Sequence, residues 1–160
     1  MTDENLEMVG RAEVVAFPEQ SFAAVPARID TGARTSAIWA SAQVHQNGQL
    51  AVTFFGKTSP LYTGIPVMFE EFDTTKVASS NGHVQERFII RLLIWIGKRK
   101  VRGMFTLADR SSQAYPVLVG RNVLRGKFLV DVKQGMITEN ERRRRVELDS
   151  RTTFKQEEQS

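Results

Sequence analysis

Six short runs dominate the chain: AEVVAF (12–17), LAVTFF (50–55), VQERFIIRLLIWIG (84–97), VRGMFTLAD (101–109), YPVLVG (115–120) and KFLVDV (127–132). All are rich in Val, Ile, Phe or Thr, side chains that fit a pleated strand and crowd the preceding turn of a helix. Gly, Asn, Pro and Ser cluster between the runs and helix signals are weak, so the pattern predicts an all-β fold. HQNGQ (45–49) and SSNGH (79–83) both centre on Asn-Gly, which tolerates positive φ at the middle of a tight turn, and each predicts a hairpin tip. GKRKVRG (97–103) predicts a third hairpin whose basic residues lie in solvent and discourage edge-to-edge pairing. NVLRG (122–126) predicts one short helical turn. Beyond about residue 137 the apolar pattern stops, leaving a charged segment that is helical or disordered. The expected organisation is an N-terminal arm (1–9), a β domain (10–136) and a charged tail (137–160).

Composition removes several function classes. With 160 residues and 41% hydrophobic content the chain is of one-domain size and can bury a core. It has no cysteine, which excludes disulfides, thiol nucleophiles and thiolate metal sites. The acidic start MTDENLE is no secretory signal, and the longest apolar run is broken by Arg91, so a cytoplasmic protein without a membrane span is expected. FFGKTS (54–59) contains Gly-Lys-Thr, but a phosphate-binding loop needs a glycine five residues before Gly56, where Ala51 stands. His45 and His83 are the only histidines and form no metal-ligand spacing, so neither cofactor nor metal is expected. RRRR (142–145) offers sequence-blind affinity for phosphates, yet no aromatic platform accompanies it, and nucleic-acid binding is the weaker reading.

IDTGARTS (29–36) carries the chemistry. An aspartate activates water for amide hydrolysis when a second carboxylate shares a proton with it, one accepting from water while the other donates to the scissile carbonyl. Such a carboxylate sits at a tight turn at a strand end, and glycine at position 32 lets backbone pack close beneath it.

ARIDTGARTSAI (27–38) resembles the active-site segment of retroviral-type aspartic proteases, and YPVLVGRNVL (115–124) resembles their second signature of apolar residues, Gly-Arg-Asn and a short helix. SSNGHVQ (79–85) falls where those enzymes place a flap hairpin. TLADRSSQAYPVLVGR (106–121) and KFLVDV extend the likeness to a bacterial retropepsin-like family labelled "ATP-dependent zinc protease", some members of which are associated with the ligase that adds glutamates to a ribosomal protein. The failed nucleotide and metal motifs argue against both the "ATP" and the "zinc" of that label.

The resemblance spans about residues 12 to 132. It implies a retropepsin-like closed β-barrel, the acid protease fold, with one short helix. With one Asp-Thr-Gly per chain it also implies a homodimer in which Asp30 meets its symmetry mate.

On this reading Asp30 is the catalytic acid/base, supported by Thr31, Gly32, Ala33, Gly120 and Arg121, with Ser80, Asn81, Gly82 and His83 as flap candidates. Arg34, Arg87 and Arg91 would favour an acidic or glutamate-tailed peptide. Retroviral enzymes carry an acidic residue where Arg34 stands, so Arg121 must find another acceptor: Asp109, Asp131 or a backbone carbonyl. Three rivals remain: a homodimeric module that binds peptide without cutting it, a monomeric hydrolase pairing Asp30 with Asp109, and a nucleic-acid binder using 97–103 and 141–145.

Overall fold

The computed structural model describes residues 5–78 and 81–135. Ser80 and the charged tail lie outside them. Eleven strands are described: β1 (Glu7–Gly10), β2 (Ala12–Phe17), β3 (Phe22–Ile29), β4 (Ser36–Val44), β5 (Leu50–Phe54), β6 (Val67–Phe69), β7 (Asp73–Ala78), β8 (Val84–Ile96), β9 (Arg99–Ala108), β10 (Val117–Val119) and β11 (Phe128–Asp131). One α-helical turn, α1 (Arg121–Leu124), follows β10, and a 3-10 turn (Pro18–Gln20) joins β2 to β3. Among the described residues no helix is long and apolar enough to cross a membrane.

Six strands close into a barrel in the order β10-β3-β2-β8-β9-β4, with β4 returning to β10. Closure removes the sheet edges that an open β protein must defend. The first half of β4 sits between β9 (Ile38↔Leu107) and β10 (Ile38↔Val117), and its second half leaves the barrel to pair with β5 (Val44↔Leu50). β7 extends the amino-terminal half of β8, and β1 pairs in parallel with β11 as a separate two-stranded sheet.

Alternation in the sequence places the core. Along β8, Ile90, Leu92, Ile94 and Ile96 are fully buried while Arg91, Leu93 and Trp95 face the other way. Val101, Phe105 and Leu107 of β9 complete the layer, and Gly103 lies on the same inward face, where a Cβ would strike Val123 of α1. Phe17 and Phe105 meet edge to face at 5.6 Å inside the barrel.

The three expected hairpins are present. β4–β5 turns at 45–49 with Gly48 at φ +84°, β7–β8 turns around Gly82 at φ +78°, and β8–β9 turns at Gly97 and Lys98. β1, β3, β4, β6 and β7 were not announced by the apolar runs. β3 (FAAVPARI) and β4 (SAIWASAQV) are built from Ala, Ser and a proline, residues of low strand propensity, and are held as strands by neighbours on both sides. Pro26 is tolerated because it pairs with Val14 of β2 just before the stretch, from Ala27 onward, that β10 joins.

Candidate active site

The two signatures leave the carboxyl ends of neighbouring parallel strands. Ile29 of β3 lies opposite Val119 of β10, so Asp30 and Gly120 emerge side by side. The Asp30 N–H donates to the Val119 carbonyl at 2.8 Å, anchoring the aspartate at the last rung of the ladder. The chain then turns: the Ala33 N–H reaches back to the Asp30 carbonyl at 3.3 Å, and the Gly32 N–H donates to Asp30 Oδ1 at 2.9 Å. A Cβ on residue 32 would stand 3.2 Å from that same oxygen, so glycine keeps the carboxylate uncrowded. Asp30 is half-buried while Thr31 and Gly32 are exposed, which leaves the carboxylate accessible at the rim of the barrel.

The turn is braced from behind by α1 and its approach. Arg121 and Asn122 donate their N–H groups to the carbonyls of Ala33 (2.8 Å) and Arg34 (3.2 Å). Gly120 packs against the backbone of Ala33 and Thr35 so closely that any side chain there would overlap both carbonyls. Ser36, fully buried, accepts the Gly120 N–H at 2.9 Å and donates to Asn122 Oδ1 at 2.7 Å, and Asn122 Nδ2 donates in turn to Met104 O of β9 at 2.9 Å. Ser36 and Asn122 form a brace beneath the Asp30 turn that the sequence reading passed over. The Asn of Gly-Arg-Asn was visible, but its partner lies 86 residues away.

Arg121 finds a backbone carbonyl: its Nη1 donates to Thr31 O at 3.1 Å, which ties the second signature to the residue beside Asp30. Arg34, Arg121, Asn122 and Arg125 line one cavity on the flank of this turn. Arg110 is a third residue that the sequence reading missed. It is half-buried in the loop between β9 and β10, where its Nε donates to Tyr115 O at 3.1 Å. Burial pushes its pKa down, the nearby Arg28 acts in the same direction, and the Asp30 carboxylate opposes them. A lone arginine inside the polar stretch DRSSQ was the available signal.

The other candidates fall elsewhere. Asn81, Gly82 and His83 form the exposed turn between β7 and β8. Arg87 is half-buried on that hairpin opposite Thr75. Arg91 lines a separate pocket that Glu70, Glu71 and Asp73 also line, and is not among the residues of the Arg34 cavity. Asp109 Oδ1 accepts the Ser111 N–H at 2.9 Å. Its pKa is lowered by the Ser111 side chain and then by that backbone bond, whereas a second carboxylate sharing a proton would raise it.

Comparison with known proteins agrees with this geometry. The matching family model is described as "RimB-like: Retropepsin-like aspartic endopeptidase RimB" and covers residues 8–141. Curated relatives named "Probable alpha-L-glutamate ligase" include proteins of Shewanella halifaxensis and Shewanella pealeana, each 31% identical over 80% of this chain, and of Desulfotalea psychrophila, 29% identical over 78%. The chain spans only 28–29% of the length of these relatives. Among solved structures, Lpg0085 of Legionella pneumophila, a protein of unknown function, superposes with a TM-score of 0.61 at 23% identity, covering 83% of this chain and 98% of that one. It shares the fold. With both signatures on adjoining strand ends and the family model running through nearly all of the described residues, the chain belongs to the RimB-like family of retropepsin-like aspartic endopeptidases.

Proposed function

We propose that this chain is an aspartic peptidase that works as a homodimer, with Asp30 of each subunit forming one shared carboxylate pair. The observation that carries the reading is the Asp30 turn: an accessible carboxylate at a strand end, held by Gly32 and braced by Gly120, Arg121 and Asn122. The sequence holds one Asp-Thr-Gly, so the second carboxylate comes from another copy. An apolar surface for that copy is available on the β1–β11 sheet, where Met8 and Leu129, with Val132 just beyond, are 57%, 47% and 73% exposed.

In the pair, the ionised carboxylate takes a proton from water as the water oxygen adds to the scissile carbonyl carbon. The protonated partner gives its proton to the carbonyl oxygen. Collapse of the resulting diol breaks the C–N bond as one carboxyl proton passes to the leaving nitrogen and a diol hydroxyl gives its proton to the other carboxylate, which restores the singly protonated pair. The β7–β8 hairpin, with Asn81, Gly82 and His83 at its turn, is the element offered as a flap over an extended peptide. The relatives' ligase name points to glutamate-bearing protein chains as the substrate class, and the arginines beside the Asp30 turn suit such a chain. A cytoplasmic protein with an acidic tail is the substrate this reading favours.

The test is cleavage of a mixed peptide library that includes glutamate-tailed peptides, followed by mass spectrometry. The native chain is expected to cut, and Asp30→Asn to lose roughly 10²–10⁴-fold in rate or more. Equal cleavage by both, or none by a folded dimeric native chain across acidic and neutral pH, would sink the proposal.

A further inference from the structure

We infer that the cavity formed by Arg34, Arg121, Asn122 and Arg125 is a carboxylate-binding subsite, which holds an acidic side chain of a peptide lying across the Asp30 turn. The inference rests on the reading of that turn as the substrate face and assigns its charge recognition to particular side chains. The cavity has a volume of about 330 Å³, and three of the four described residues that line it are arginines. Among the described residues no carboxylate lines it. Among the described residues, ion pairing is shown for Arg102 with Glu19, and none is shown for Arg34, Arg121 or Arg125.

The grouping is fixed by the backbone and is no accident of long side chains meeting in solvent. Asn122 N–H donates to Arg34 O, Arg121 N–H to Ala33 O, and Arg125 N–H to Arg121 O, so the loop and α1 cannot drift apart to relieve repulsion. Holding like charges together on tied elements opposes folding, and a bound anion is what reverses the sign of that contribution. Arg121 is already oriented by its bond to Thr31 O, which leaves the rest of its fork of donors for a ligand. Guanidinium groups match the two oxygens of a carboxylate in a way that the amide of a glutamine does not. Thr31 adjoins Asp30, so a group held by Arg121 lies along the path of a peptide presented to that carboxylate.

Arg34 and Arg125 are the positions to change. Both are exposed, and the bonds that tie them into the turn come from their backbones, so Arg34→Gln and Arg125→Gln leave the brace intact. The experiment measures binding of a fluorescent hexaglutamate peptide and its hexaglutamine counterpart to the full chain carrying Asp30→Asn, so that nothing is cut. Adding Arg34→Gln with Arg125→Gln should weaken hexaglutamate binding about 10-fold or more, the loss of even one charge-assisted hydrogen bond. Hexaglutamine should bind poorly to both. A control pair, Lys57→Gln with Lys133→Gln, removes the same net charge from exposed sites and should leave affinity within about two-fold, as screened surface charge does.

Equal loss in the two pairs, or no loss in either, overturns the assignment. So does a shift in dimerisation by the arginine pair with peptide affinity unchanged, because the cavity would then be a contact between subunits. Cleavage by the chain with Asp30 intact is scored separately. Arginine-dependent binding without any cleavage would fail the peptidase reading and keep the subsite, while Asp30-dependent cleavage of glutamate peptides that ignores the arginine pair would do the reverse.

Discussion

Ser36 meets a demand that no local pattern announces: its hydroxyl is fully buried, accepts the Gly120 N–H and donates to Asn122. Replacing it with alanine leaves the buried Gly120 N–H without an acceptor, so Ser36→Ala is expected to destabilise the chain by about 1–3 kcal/mol. Urea denaturation checks this, and because the brace lies directly under the Asp30 turn, activity should fall with it. Asp30, Gly120 and Arg121 were legible in the sequence because each stands inside a signature with a fixed spacing. The acceptor of Arg121 was narrowed to two carboxylates or a backbone carbonyl, and Thr31 O is the one found. Ser36 and Arg110 were not legible. A serine within RTSAI reads as loop chemistry, and the partner that makes it structural is reached only once β4 and β10 lie side by side.

Among the elements, hairpins were the most readable, since Gly48, Gly82 and Gly97 take the positive φ of their turns without the Cβ penalty that other residues meet there. β3 and β4 were the least readable. Their Ala- and Ser-rich sequences gain little from propensity and depend on pairing with β2, β9 and β10. The loop from β9 to β10 shows how a polar connection is held: Asp109 turns back on Ser111, which lowers its pKa from the ordinary value of 3.8. A carboxylate whose folded pKa is depressed stabilises the fold above its unfolded value, and that contribution disappears as pH falls through the lower folded value. Asp109→Asn should therefore lower the melting temperature near neutral pH. The difference from the native chain should close in acid below 3.8. A gap that stays constant across that range would mean that Asp109 acts by something other than its charge.

For the whole molecule, barrel closure brings two distant signatures to one rim and leaves a single Asp-Thr-Gly carboxylate there. The alternation of β8 and β9 made the all-β core readable from sequence, whereas ring order was not, because parallel pairings such as β4 with β9 join segments far apart in the chain. A shared carboxylate pair makes catalysis a property of two chains together. Refolding the native chain with an excess-free equal amount of Asp30→Asn, with mass-labelled subunits to verify exchange, tests this most directly. If each active centre needs an aspartate from both subunits, native dimers make up about one quarter of the mixture and activity falls to that level. Activity that falls only to one half, in proportion to the native chains present, would place a complete site within one chain and contradict the account.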